Sequence, residues 1–172
     1  MAGSLIKINE ATASDDATLS CTGMTSTYDV YIADIYNVRP ASDNTNLYLR
    51  FTEGGSANST ANYDFAYRVA RSDTVWNING DARNLNQVYI DTQLADEYTS
   101  SAGRIYIFNS QNSGEYTHFT WSNSKVRAGV NTLRGKMGGG GFTVTSVVDG
   151  IEIFMSSGNL TTAQIVLYGV SK

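Results

Sequence analysis

His118 is the only imidazole of the chain and Cys21 the only thiol, so nucleophilic and metal chemistry have few places to sit. A Ser-His-Asp triad needs its base beside a nucleophile. No Gly-x-Ser-x-Gly elbow occurs to present one, and His118 stands inside an alternating run, Tyr116 to Trp121, as one residue of a strand face. One Cys and one His fall short of a structural zinc set, and a lone Cys makes no internal disulfide. Glycoside hydrolysis needs only two carboxyl groups flanking a bond. Asp91, Asp96, Glu97, Glu115, Asp149 and Glu152 are available, but no spacing singles out a pair. Asp15-Asp16 and Asp43-Asn44-Thr45-Asn46 offer oxygen atoms without the full spacing of a calcium loop. The run Gly138 to Gly141 lacks a following Lys-Ser or Lys-Thr and leads into strand-like sequence at Phe142, whereas phosphate cradles open helices. It reads as a close-packed or mobile loop. The residues therefore predict a non-enzymatic protein with no cofactor and no metal.

Two groups of side chains are better suited to binding. Lys125, Arg127, Arg134 and Lys136 occur with no acid between Glu115 and Asp149. Such a run either docks an acidic partner surface or anionic polysaccharide, or forms a solvated pair of edge strands on which Lys and Arg discourage stray pairing. Trp76, Tyr89, Tyr98 and Tyr116 lie near loops rich in Asn and Ser. Rings stack on sugar faces and amides read hydroxyls; the same aromatics equally suit the rim or core of a self-association surface.

These residues must be positioned by strands. The chain has 172 residues, one Pro, 11 Tyr and a charged fraction of only 16%, and its polarity comes mainly from hydroxyls and amides. Tyr63, Phe65, Tyr67 and Val69 alternate with Asp64, Ala66, Arg68 and Ala70, the period of a half-buried strand. Leu47 to Thr52, Ile105 to Phe108 and Tyr116 to Trp121 repeat the pattern, and Phe142 to Val148, Ile151 to Met155 and Ala163 to Val170 give three more runs. Turn residues punctuate them at Ser42 to Asn46, Gly54 to Ser56, Asn109 to Gly114 and Ser156 to Asn159, and Asp149-Gly150 is a two-residue hairpin signal. Arg71 to Asn84 reads as the longest loop. About nine or ten short strands predict an all-β, antiparallel, jelly-roll-like β-sandwich, a single domain over residues 1–172. A net charge of −4 gives no footprint for nucleic acid. No stretch approaches the roughly 18 apolar residues of a membrane span and no signal peptide is visible, so neither membrane insertion nor export is expected.

Some stretches are more specific than their composition. Gly23-Met24-Thr25-Ser26-Thr27-Tyr28-Asp29-Val30-Tyr31, Asn37-Val38-Arg39-Pro40-Ala41-Ser42-Asp43-Asn44 and Leu47-Tyr48-Leu49-Arg50-Phe51-Thr52 resemble a family of small virion proteins from tailed, especially aquatic, bacteriophages. Val148-Asp149-Gly150-Ile151, Ser156-Ser157-Gly158-Asn159 and Leu167-Tyr168-Gly169-Val170-Ser171-Lys172 resemble its closing strands. The resemblance runs from Leu5 to the C-terminus and rests on turns and strand faces. It implies a virion structural protein, made in the host cytoplasm, that self-associates as a homotrimer. It also implies attachment to another virion component, the capsid as a decoration or a fibre base as an appendage. The alternative is a tail-fibre module that recognises host-surface polysaccharide. Under the first reading Lys125, Arg127, Arg134 and Lys136 are the docking candidates; under the second Trp76, Tyr89, Tyr98 and Tyr116 contact the glycan.

Overall fold

The computed structural model describes residues 4–73, 78–94, 100–127 and 132–171. Among the described residues there are strands and no helix. In order they are β1 (Leu5–Asp16), β2 (Thr18–Thr22), β3 (Val30–Pro40), β4 (Thr45–Glu53), β5 (Ser56–Ala57), β6 (Tyr63–Arg71) and β7 (Ile78–Leu85). There follow β8 (Val88–Leu94), β9 (Ser101–Phe108), β10 (Thr117–Arg127), β11 (Thr132–Phe142), β12 (Gly150–Met155) and β13 (Leu160–Val170). They form two antiparallel sheets. The larger runs β1-β13-β3-β9-β10-β11-β6-β7; the smaller runs β2-β12-β4-β5, with β8 also paired to β4.

Alternation puts one face of each sheet against the other, giving the β-sandwich that the periodicity predicts. Leu47, Leu49 and Phe51 from the small sheet meet Ile105, Ile107 and Phe119 from the large one in a single apolar core. The Phe51 ring lies edge-on to Phe119 at 5.5 Å, and Tyr63 and Phe142 stand 4.8 Å apart. Tyr63 fits here because its hydroxyl is satisfied: it accepts the Phe51 N–H at 3.0 Å and donates to the Asn58 carbonyl at 2.9 Å.

Several elements depart from the sequence expectation. The strands outnumber the nine or ten read from alternation, because β1, β2 and the two-residue β5 lack a clear apolar alternation. β7 occupies the second half of the expected loop from Arg71 to Asn84; its polar sequence is held by backbone pairing to β6 at the sheet edge. Gly138 to Gly141 is not the close-packed or mobile loop expected but part of the second half of β11, in the interior of the large sheet. Its glycines make room for rings: a Cβ on Gly138 would collide with the Trp121 indole, and one on Gly140 with the Asp64 carbonyl and the Phe119 ring. Asp149-Gly150 is not a hairpin. β11 ends at Phe142, β12 pairs with β2 and β4 instead, and the Asp149 carboxylate accepts hydrogen bonds from Thr52 Oγ1 at 2.5 Å and the Gly55 N–H at 2.7 Å. Val144 to Val148, expected to continue a strand, therefore lies in a connection.

Candidate functional site

Lys125, Arg134 and Lys136 of the basic run do not form a surface. Lys125 on β10 is opposite Arg134 on β11, and Asn123 is opposite Lys136. All point between the sheets, toward β8, because Phe119, Trp121, Asn123 and Lys125 share one parity of β10. Lys125, Arg134 and Lys136 are only 4%, 8% and 3% exposed. They are thus neither docking residues nor a solvated edge; the Arg127 side chain lies outside the described residues.

The trio is instead held by β8. Lys125 Nζ lies 3.0 Å from Asp91 Oδ1 and donates to the Thr92 carbonyl. Asp91 accepts two further hydrogen bonds, from Ser101 Oγ at 2.6 Å and the Thr92 N–H at 2.7 Å. Arg134 donates to the Gln93 side chain. Lys136 donates to the Tyr89 carbonyl and lies 3.6 Å above the centre of the Tyr67 ring, a cation–π contact. Asn123 completes the set, donating to the Ile90 carbonyl at 3.0 Å and accepting the Lys136 N–H at 3.1 Å. Burial pushes the Lys136 ammonium down to about 7, with Lys125 adding to the shift and Asp91 opposing it. This end of the core is a polar clamp between sheets.

The aromatic candidates separate. Trp76 and Tyr98 lie outside the described residues. Tyr89 is packed, 5.0 Å from Tyr48 and 5.6 Å from Phe65, so it has little ring face to offer a ligand. Tyr116 is 45% exposed, in the loop between β9 and β10. His118 is on the exposed face of β10. Among the described residues no three His, Cys, Asp or Glu side chains gather to hold a metal. The proposed carboxylates are dispersed too: Asp91 and Asp149 are engaged as above, Glu152 accepts from Ser20 and Glu115 from Asn109. Asp96 and Glu97 are outside the described residues.

A polar cleft that sequence reading missed opens beside Tyr116's loop. Val30 and Phe108 are register partners, so the β2–β3 and β9–β10 connections leave adjacent strands at the same end. The first supplies Ser26, Tyr28 and Asp29 to the cleft, the second Asn109 to Ser113. The walls are pinned: Gln111 Nε2 donates to the Val148 carbonyl at 2.7 Å and the Met24 carbonyl at 3.3 Å. The Val148 N–H donates to the Ser110 carbonyl at 2.7 Å, and Gly23 and Met24 N–H groups donate to the Asp149 carbonyl at 2.8 and 2.9 Å. Asn109 adopts a φ of 60°, a left-handed turn conformation that Asn tolerates. The only sequence signal was the turn-like run Asn109 to Gly114, which marks a loop without revealing what it faces.

No family model and no curated protein matches this sequence. Among solved structures, the catalytic domain of PdAgaC aligns with 8% identity and a TM-score of 0.30, over 96% of this chain and 76% of that one. A likeness this distant bears on neither activity nor ligand.

Proposed function

We propose that the chain is a non-enzymatic structural protein of a bacteriophage virion, which self-associates as a trimer and attaches to the capsid or a fibre base. The bacteriophage assignment rests on the resemblance carried by the turns and strand faces. The observation that supports self-association is the outer face of the large sheet. Across β9, β10, β11 and β6 the register brings Ala102, Ser124, Gly135 and Ala70 into one row, and Tyr106, Thr120, Gly139 and Ala66 into another. Between them lies Arg104, Ser122, Met137 and Arg68. Small side chains fill most of the two flanking rows, while Tyr106, Met137 and Leu133 stay 38%, 44% and 55% exposed on this face. A sheet face with exposed apolar side chains suits a symmetric contact between copies.

Localisation on the particle tests this reading, using gold-labelled antibody against the chain. Label over the head fits a capsid decoration and label at the tail an appendage. Label on neither, with the protein abundant and accessible in infected cells, overturns the virion assignment.

The second reading, recognition of host-surface polysaccharide, is favoured by the hydroxyl- and amide-lined cleft and by exposed Tyr116 on one of its loops. It predicts saturable binding to host cells without release of reducing ends from their polysaccharide.

A further inference from the structure

We infer that the cleft between the β2–β3 and β9–β10 loops binds a neutral saccharide, with Tyr28, Asp29, Asn109, Ser110 and Asn112 as its contacts. The inference deepens the second reading above and gives it a site.

The lining argues for the ligand class. It combines a carboxylate, side-chain amides, hydroxyls and an aromatic ring, and among the described residues it includes no Lys or Arg. A lining whose described side chains include a carboxylate and no cation disfavours an anionic polysaccharide or phosphate. Amides and hydroxyls both donate and accept, which matches a sugar hydroxyl's own dual character. Tyr28 supplies a stacking platform. Its ring is pressed on Gly169, where any Cβ would collide with it, and it meets Tyr31 edge-on at 5.8 Å. Backing on one side, an edge contact and packing against the core hold this partly buried ring in place where it lines the cleft, as a pyranose-stacking ring requires.

Two further features point to a built site. Ser110 is 2% exposed and lines the cleft, yet its Oγ has no hydrogen-bond partner among the described residues. Buried hydroxyls are normally satisfied, so this one calls for a partner that a bound water or a ligand group can supply. The backbone hydrogen bonds among residues 23–24, 110 and 148–149 also hold both walls without a ligand, which lowers the ordering cost of binding. Of the aromatics singled out by sequence, the described Tyr89 and Tyr116 do not line this cleft, though Tyr116 shares a loop with it.

The test is binding of the purified full chain to immobilised oligosaccharides, comprising neutral glucans, galactans and mannans with polygalacturonate as the acidic comparison. Ser26→Trp and Ser113→Trp, both at exposed positions, fill the cleft without touching the core; Tyr28→Leu removes the platform. Circular dichroism and thermal melting check the fold of each. The expected result is binding to at least one neutral saccharide, weakened at least tenfold in each tryptophan variant and in Tyr28→Leu if that variant folds. Neutral-saccharide binding that survives both tryptophan variants overturns the site while leaving the glycan reading standing. Preference for polygalacturonate overturns the ligand class, and no binding to any of these probes overturns both site and reading.

Discussion

Lys125 and Asp91 form an ion pair at 3.0 Å between the two sheets, with side chains only 2% and 5% exposed. The pair joins β10 of the large sheet to β8 of the small one, and Ser101 and the Thr92 N–H satisfy the carboxylate further. Replacing a buried pair by apolar groups is often neutral, whereas removing one partner strands a charge. Lys125→Met and Asp91→Leu alone should each cost about 3–5 kcal/mol, and the double variant should recover much of that loss. Urea unfolding of the four proteins measures the coupling; additive losses would show that the pair does not act as a unit.

Lys136 makes stability depend on pH in a predictable sense. Its folded-state value, lowered to about 7 by burial, lies below the ordinary lysine value of 10.5. Between these values the unfolded chain binds more protons, so this residue's contribution to stability rises with pH and is lost as pH falls through about 7. Lys136→Met should remove the charged-state burial cost and flatten the rise between neutral and alkaline pH, despite losing the contact with Tyr67. Equilibrium unfolding of both proteins across that window gives the two slopes. Equal slopes would mean that Lys136 keeps an ordinary affinity for its proton.

Much of this geometry was legible as parity. The same alternation that turns Phe119 and Trp121 inward turns Lys125 inward, and counting back from Phe142 through Gly140 and Gly138 reaches Lys136 and Arg134 on the same face. Charge alone suggested a surface; strand period, carried through the glycine run, would have placed these residues inside. The run was hard to recognise because glycine has no side chain to display alternation, and the rings that occupy its space come from other strands. The cleft was less accessible still. Its walls are adjacent only because β3 pairs with β9 across a long stretch of sequence, and no local pattern encodes that pairing.

Charge reversal at the basic run should therefore fail in a particular way. Lys125→Glu with Lys136→Glu would bury carboxylates against Asp91 and the Tyr89 and Thr92 carbonyls, which they cannot satisfy. The expected outcome is loss of the cooperative unfolding transition and of soluble protein, not a folded chain that no longer attaches. A folded double variant with native near-ultraviolet dichroism would show that this end of the core opens to solvent.

Cys21 should be silent in the folded protein. It is 1% exposed, and burial pushes its thiol up to about 11, so both access and thiolate fraction are low at neutral pH. A disulfide reagent such as DTNB should label it only after unfolding, at a rate that follows denaturant. Rapid labelling of the native chain would reveal local opening of β2 from β12.

The outer face of the large sheet gives the sharpest test of assembly, because its side chains contribute little to the core. Met137 sits in the middle of that face, between Ser122 and Arg68 in register, and is 44% exposed. Ala66 is exposed in the adjoining row. Glutamates at both positions can extend into water in an isolated subunit, so melting should change little. In an assembly they would be desolvated against a partner's surface, and symmetry would repeat the cost in every contact. Met137→Glu with Ala66→Glu should convert a trimer to monomers in light scattering, with monomer secondary structure intact. A trimer that persists would move the contact to another surface, for which β1 and β7 provide the open edges.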